Sequence, residues 1–205
     1  PLDRTKLHTV AVIGPNAIST VALEGNYCGT AGEYHTVYDG IREALPQTTR
    51  VYYAQGSHLC LDRVEDLSRN PNDRLSEAVA IAARSELVIL AVGLDQYIEG
   101  EEMPDSKLKT CGDKPDLLLP EGQRALMTAI GKTGVPTIIV NMSGSAIDLA
   151  DGNDYAKAII QAWYPGAEGG RAVAQLIFGD YSPSGRLPVT FYHNDEELPA
   201  FTDYC

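Results

Sequence analysis

The sequence predicts an α/β fold: an open, mostly parallel sheet of five or six strands with helices on both faces. Three observations carry this reading. Short apolar runs alternate with amphipathic stretches along almost the whole chain. Several runs are apolar at every position, as strands covered on both faces must be. Glycine or proline closes most of the amphipathic stretches, so each reads as a helix with a defined stop.

The strand candidates are residues 9–13, 50–54, 87–92, 137–140 and 158–163, rich in Val, Ile, Leu and Tyr. Residues 187–192 are a further candidate and would make the sixth strand. Between them, Val37, Ile41, Ala44 and Leu45 recur at helical spacing until Pro46 ends the run. Leu75, Ala78, Val79 and Ala82 repeat the pattern. Ala125, Leu126, Ala129 and Ile130 follow, closed by Gly131 or Gly134. Ala172, Val173, Leu176 and Ile177 form the last stripe, with Gly179 as its cap. Strand–helix alternation of this kind builds βαβ units and a parallel sheet.

The chain has 205 residues, of which 44% are hydrophobic and 21% charged, so it reads as one globular domain with a sizeable core. Its net charge of -12 repels phosphate backbones and argues against a nucleic-acid partner. No apolar run reaches membrane-spanning length. Pro1 stands where an initiator Met would be, which suggests a piece of a longer protein and leaves the compartment, cytoplasmic or secreted, open. Cys28, Cys60, Cys111 and Cys205 are scattered without a CxxC pair, and unpaired thiols are the expectation.

Two segments exceed what a minimal α/β domain needs. Residues 17–33 form a glycine-rich loop after the first strand. Residues 93–119 follow the third strand, well beyond the ~12–15 residues at which unstructured connections become uncommon. Both leave the carboxyl ends of parallel strands, where open α/β sheets bind ligands. The longer loop holds Asp95, Glu99, Glu101, Glu102, Asp105, Asp113 and Asp116. Most of these suit a solvated acidic loop. One of them is a candidate general acid/base, which requires surroundings that keep a carboxyl protonated near neutral pH. Glu99 follows Tyr97 and Ile98, apolar neighbours of the kind that would do so.

Other chemistries find no support. Ile13-Gly14-Pro15-Asn16 occupies the place of a dinucleotide-binding GxGxxG and lacks that pattern, and no GxxxxGK[ST] exists. His8, His35, His58 and His193 show no metal-ligand spacing and read as surface or turn histidines. No metal or cofactor is expected. Ser143 lacks the GxSxG context of a hydrolase nucleophile and reads as the cap of a following helix.

Seven motifs occur in order. They are Val12-Ile13-Gly14-Pro15-Asn16-Ala17; Leu23-Glu24-Gly25-Asn26-Tyr27-Cys28-Gly29-Thr30; Tyr53-Ala54-Gln55-Gly56; Val92-Gly93-Leu94-Asp95-Gln96-Tyr97-Ile98-Glu99-Gly100-Glu101; Asp116-Leu117-Leu118-Leu119-Pro120-Glu121-Gly122-Gln123; Trp163-Tyr164-Pro165-Gly166-Ala167-Glu168-Gly169-Gly170; and the stretch from Phe178 through Gly179-Asp180-Tyr181-Ser182-Pro183-Ser184-Gly185-Arg186-Leu187-Pro188 to Phe191. Together they resemble the C-terminal α/β sandwich domain of glycoside hydrolase family 3, in its β-xylosidase and β-glucosidase branches. The resemblance implies a retaining β-glycosidase that removes terminal non-reducing β-linked sugars from oligosaccharides. In such an enzyme a barrel domain carries the aspartate nucleophile and the sandwich carries the acid/base. Retaining chemistry sets the two carboxyls roughly 5–5.5 Å apart. The sugar would then lie in the crevice between the domains.

Carried over residue by residue, the resemblance makes Glu99 the acid/base. Glu101 and Glu102 are its alternatives, or neighbouring carboxylates that help hold it protonated. Tyr27, Asn26 and Tyr97 are substrate-binding candidates, Tyr27 as a stacking face and Asn26 as a hydrogen-bonding group. The family's Asp-Arg pair after the second glutamate is missing; the loop runs on through Glu102-Met103-Pro104-Asp105-Ser106 to Pro115. This leaves the choice among the three glutamates open. The expected partners are a glycoside or oligosaccharide substrate and an N-terminal barrel domain of the same parent, with neither nucleic acid nor membrane. Residues 1–192 would form the sandwich and 193–205 the start of a linker to a following domain, the barrel being absent from this chain. Without it the chain is expected to be inactive. A non-catalytic sugar-binding or scaffolding module is the alternative, and a flavodoxin-like regulatory module is disfavoured by the missing phosphate loop.

Overall fold

The computed structural model describes residues 2–26, 28–60, 73–100, 114, 116–200 and 202–203. Five strands, β1 (Thr9–Ile13), β2 (Arg50–Ala54), β3 (Leu87–Gly93), β4 (Thr137–Met142) and β5 (Ala156–Gln161), form one sheet in the order β2-β1-β3-β4-β5. Every pairing is parallel. The helices are α1 (Val37–Ala44), α2 (Asp73–Ala82), α3 (Glu121–Lys132), the one-turn α4 (Ala150–Asn153) and α5 (Gly169–Phe178).

Alternation along β3 divides the core in two. Leu87, Ile89 and Ala91 face α1 and α5 together with Val10, Val12, Ile41, Val173 and Ile177. Val88, Leu90 and Val92 face α2 and α3 together with Ala78, Leu126, Met127 and Ile130. All seven residues of β3 are buried, which explains why this stretch has no polar position. β5 lies at one edge of the sheet and has no fully buried position, so its sequence alternates less clearly. That is why it begins at Ala156, two residues before the apolar run suggested.

The helix ends follow local chemistry. Thr36 and Asp39 form a reciprocal capping box that opens α1. Gly179, at φ 80°, closes α5 by giving its N–H to the carbonyls of Gln175 and Leu176. Gly134 turns the chain after α3, whereas Gly131 lies inside the helix. α1 and α5 cross at a glycine contact. A Cβ on Gly170 would sit 1.8 Å from the Thr36 carbonyl oxygen, and one on Gly40 would sit 2.0 Å from that of Gly170.

Two expectations are corrected. Residues 187–192 form no strand: Leu187 and Val189 are exposed, and Pro188 has no N–H to give to a ladder. The sheet therefore has five strands among the described residues. His35 is no surface histidine. It is 4% exposed, with Nδ1 3.1 Å from Oε1 of Glu43, and its backbone ties the first loop to the segment before α5. His8 and His193 are exposed as expected.

Because all strands run one way, the loops leaving β1, β3, β4 and β5 emerge at a single edge of the sheet. The strand order reverses at β1 and β3, which places the two long loops on either side of the switch point where such sheets bind ligands.

Candidate functional site

The path to the site begins at Gly93. Its φ is 142° and a Cβ there would sit 2.0 Å from the Met142 carbonyl oxygen, so the chain leaves β3 by pressing against β4. The buried Gln123 of α3 holds this peptide at both ends. Its Oε1 accepts from the Gly93 N–H at 2.9 Å and its Nε2 donates to the Gly93 carbonyl at 2.7 Å. The Pro120-Glu121-Gly122-Gln123 motif thus fixes where the β3 loop starts. Asn16, fully buried in the β1 loop, adds a bond from Nδ2 to the Leu94 carbonyl at 2.9 Å.

One turn later Asp95 closes a local knot. Its Oδ1 accepts from the N–H groups of Tyr97 at 2.9 Å and Ile98 at 3.2 Å, and its carbonyl accepts from Ile98 and Glu99. Asp95 is 8% exposed. Burial pushes its carboxyl above the usual aspartate value; the two N–H donors pull it down, and the Glu99 charge pushes it up again. Ile98 is buried and Tyr97 exposed, so the turn presents Glu99 toward the neighbouring loops.

Glu99 meets three donors from two other loops. Oε2 accepts from the Gly144 N–H at 2.6 Å and from the Tyr164 hydroxyl, and Oε1 accepts from the Ser145 hydroxyl. Gly144 and Ser145 follow β4; Tyr164 follows β5. The apolar surroundings expected for Glu99 from Tyr97 and Ile98 are therefore corrected. Tyr97 points to solvent, and what surrounds the carboxylate is a set of hydrogen-bond donors. Ser143 is corrected too. No helix starts beside it, and its buried hydroxyl donates to the Ser145 carbonyl at 2.9 Å while accepting from Asn141. It shapes the turn that brings Gly144 and Ser145 to Glu99.

Tyr164 is aimed by an unusual backbone. Trp163 has φ 57°, the one non-glycine residue in that region among the described residues, a conformation that costs of order 1–3 kcal/mol. The Trp163 ring meets Phe191 edge-on at 6.1 Å. Burial, then the bond to Glu99 and its charge, push the Tyr164 phenol far above its ordinary value, so it remains a donor.

Asn26 is exposed in the β1 loop, at the same edge as Glu99. Tyr27, Glu101 and Glu102 lie outside the described residues. The residues not singled out from the sequence are Gly144, Ser145 and Tyr164, while Asp95 stood there only as one of the loop's seven carboxylates. Tyr164 stands in a quoted motif, but nothing in its neighbours along the chain ties it to Glu99. A groove of about 1360 Å³ runs between β5 and the chain after α5, past Ile160, Trp163, Leu187 and Phe191, and does not include Glu99. Among the described residues no group of three or more His, Cys, Asp or Glu could hold a metal ion, and no helix is long and apolar enough to cross a membrane.

The family profile described as Glycosyl hydrolase family 3 C-terminal domain matches residues 1–204. A periplasmic beta-glucosidase of Salmonella typhimurium is 32% identical over 214 aligned residues, covering 98% of this chain and 27% of that protein. A xylan 1,4-beta-xylosidase of Xylanibacter ruminicola is 44% identical over 140 residues, or 68% of this chain and 16% of that protein. Among solved structures, a GH3 exo-beta-xylosidase in complex with a xylobiose aziridine probe superposes with a TM-score of 0.74 at 30% identity, over 90% of this chain and 22% of its own. A beta-glucosidase from Erythrobacter marinus superposes with a TM-score of 0.83 at 28% identity, over 97% of this chain and 28% of its own. The chain spans little more than a quarter of the length of these relatives, or less.

Proposed function

The chain belongs to glycoside hydrolase family 3, whose C-terminal domain it matches, and from that membership we propose that it serves a retaining β-glycosidase as the domain that supplies the general acid/base. The substrates are terminal non-reducing β-linked sugars of oligosaccharides, xylosides or glucosides, with the Gly93-Leu94-Asp95-Gln96 segment leaning toward xylosides. The observation that carries the reading is the position of Glu99. It stands at the carboxyl edge of the sheet, at the end of a hydrogen-bonded turn, with its carboxylate held by two neighbouring loops.

In the proposed reaction a carboxylate from a barrel domain attacks the anomeric carbon. Glu99, protonated, gives its proton to the departing oxygen as the glycosidic bond breaks. The resulting Glu99 carboxylate then takes a proton from water, whose oxygen attacks the anomeric carbon and frees the barrel carboxylate. This chain holds the acid/base in place and closes one wall of the crevice, where Asn26, Tyr27 and Tyr97 would contact sugar. The chain by itself lacks the nucleophile and the opposite wall, and is inactive.

One observation favours a second assignment within the same function. Both oxygens of Glu99 accept hydrogen bonds from its own domain. Glu99 would then anchor the loop while Glu101 or Glu102 transfers the proton. Azide distinguishes the two in the full-length protein. With Glu99→Ala, hydrolysis of sugar leaving groups should fall by about 10²–10⁴-fold. Activated aryl substrates should still form the glycosyl-enzyme, and added azide should release it as a β-glycosyl azide. Rescue of Glu101→Ala or Glu102→Ala, without rescue of Glu99→Ala, would move the acid/base along the loop. Rescue of none of the three would leave a sugar-binding module in its place.

A further inference from the structure

The hydroxyl of Tyr164 and the strained residue before it have no role in the reaction proposed for Glu99. We propose that Tyr164 is the positioning residue of the acid/base: its hydroxyl fixes the rotamer of Glu99, and the backbone of Trp163 aims it there. The proposal rests on Glu99 being the acid/base.

Three independent features converge on Tyr164. First, its hydroxyl donates to Oε2, the same oxygen that takes the Gly144 N–H, while Ser145 holds Oε1. The Gly144 and Ser145 bonds come from one short turn and move together. Tyr164 comes from a different strand and is the contact that fixes the carboxylate against rotation about that turn. Second, the ring lies between two glycines on two other loops. A Cβ on Gly25 would come within 3.2 Å of its Cδ2, and one on Gly144 within 3.0 Å of its Cε2. Any other residue at Gly144 would press on the ring beside the Glu99 oxygen itself, 3.2 Å away. Third, Trp163 adopts φ 57° immediately before Tyr164, and the two consecutive aromatic side chains meet different partners, Trp163 the Phe191 ring and Tyr164 the Glu99 carboxylate. A backbone cost of this kind persists where the surrounding structure over-determines it, and such sites cluster where geometry matters for function.

The phenol is suited to the task. Partial burial and the adjoining carboxylate keep it protonated, so it donates to Glu99 throughout the working pH range. Among the described residues the other titratable group that faces the pair is Asp95 of the β3 loop. The β4 loop brings only Gly144 and Ser145, and the β1 loop brings Gly25.

The experiment compares Tyr164→Phe, Tyr164→Ala and Glu99→Ala in the full-length protein, on a disaccharide and on activated aryl glycosides. Phenylalanine keeps the ring between Gly25 and Gly144 and removes only the hydroxyl. On the proposal, Tyr164→Phe lowers kcat on the disaccharide by about tenfold or more, part of the range that general acid catalysis spans. KM stays nearly unchanged, and the activated aryl substrate is largely spared. Tyr164→Ala does the same and also lowers thermal stability. If Tyr164→Phe behaves as wild type, or loses activity equally on all substrates, the hydroxyl is structural and the proposal is overturned, while azide rescue of Glu99→Ala still upholds the assignment of Glu99. If Glu99→Ala is not rescued, the assignment fails and the proposal fails with it.

Discussion

Asp95 and Glu99 stand four residues apart on one turn, yet their surroundings differ in kind. Asp95 is sealed in with two backbone donors, and burial places its carboxyl above its ordinary value. A carboxyl whose value is raised by folding binds its proton more tightly in the folded state. The charged form is then a burden on stability that is absent below the unfolded aspartate value and grows as pH rises through the raised folded value. Asp95→Asn keeps an Oδ1 acceptor for the Tyr97 and Ile98 N–H groups and removes the charge. We expect the variant to gain stability relative to the native chain as pH is raised from about 4 toward neutrality, a trend that denaturant titrations at several pH values would measure. Asp95→Ala, which leaves those two N–H groups without their acceptor, should lose about 1–3 kcal/mol at every pH. A native chain that gained on Asp95→Asn as pH rose would contradict the sign of this argument.

The elements that matter most are brought together by what their side chains lack. α1 and α5 pack so closely that the Cβ expected on almost any residue at Gly170 has no room: Thr36 and His35 carbonyl oxygens lie 1.8 Å and 2.6 Å from its position. Both are backbone atoms and cannot swing aside, so relief requires the helices to part. Gly170→Ala should cost about 3 kcal/mol or more, at the upper end for overpacking, and lower Tm by roughly 6–12 °C. Gly40→Ala should cost a similar amount, and the double variant less than the sum, because once the helices have separated for one methyl the second finds space. Calorimetry on the three variants would check both statements. The separation would also disturb the segment between β5 and α5, because His35 donates its backbone N–H to the Ala167 carbonyl there at 2.8 Å.

At the scale of the whole molecule, the loops of a parallel sheet gather at one edge whether or not they are close in sequence. That edge carries Glu99, whose titratable partners among the described residues are Asp95 and Tyr164. The proposed nucleophile would come from outside the 205 residues. The purified chain should therefore show no measurable turnover of aryl β-xylosides or β-glucosides under conditions in which the full-length protein is active, because a retaining reaction with one carboxyl loses its covalent route. Robust hydrolysis by the chain alone would mean that both carboxyls belong to it and that Glu99 has been given the wrong partner.

Strand β3 was legible because both of its faces are buried, and burial on two faces leaves a run without a polar residue. Helix α5 was legible because its apolar stripe ends on Gly179, whose left-handed conformation is a local demand. The resemblance carried by the seven motifs placed the fold, the family and the loop that bears Glu99. Residues 187–192 misled because apolar composition states what a stretch could bury and leaves open what it pairs with. The surroundings of Glu99 could not be read at all from the residues beside it. Ser145 lies 46 residues from Glu99 and Tyr164 lies 65, and the contacts exist because strands β3, β4 and β5 are adjacent and parallel. The sequence by itself determined the elements, their order and the family, since these rest on local periodicity and on turns that few residues can make. The donors that hold Glu99 were decided by the tertiary structure alone, because a hydrogen bond between loops depends on which strands become neighbours, and that is set by the packing of the whole sheet.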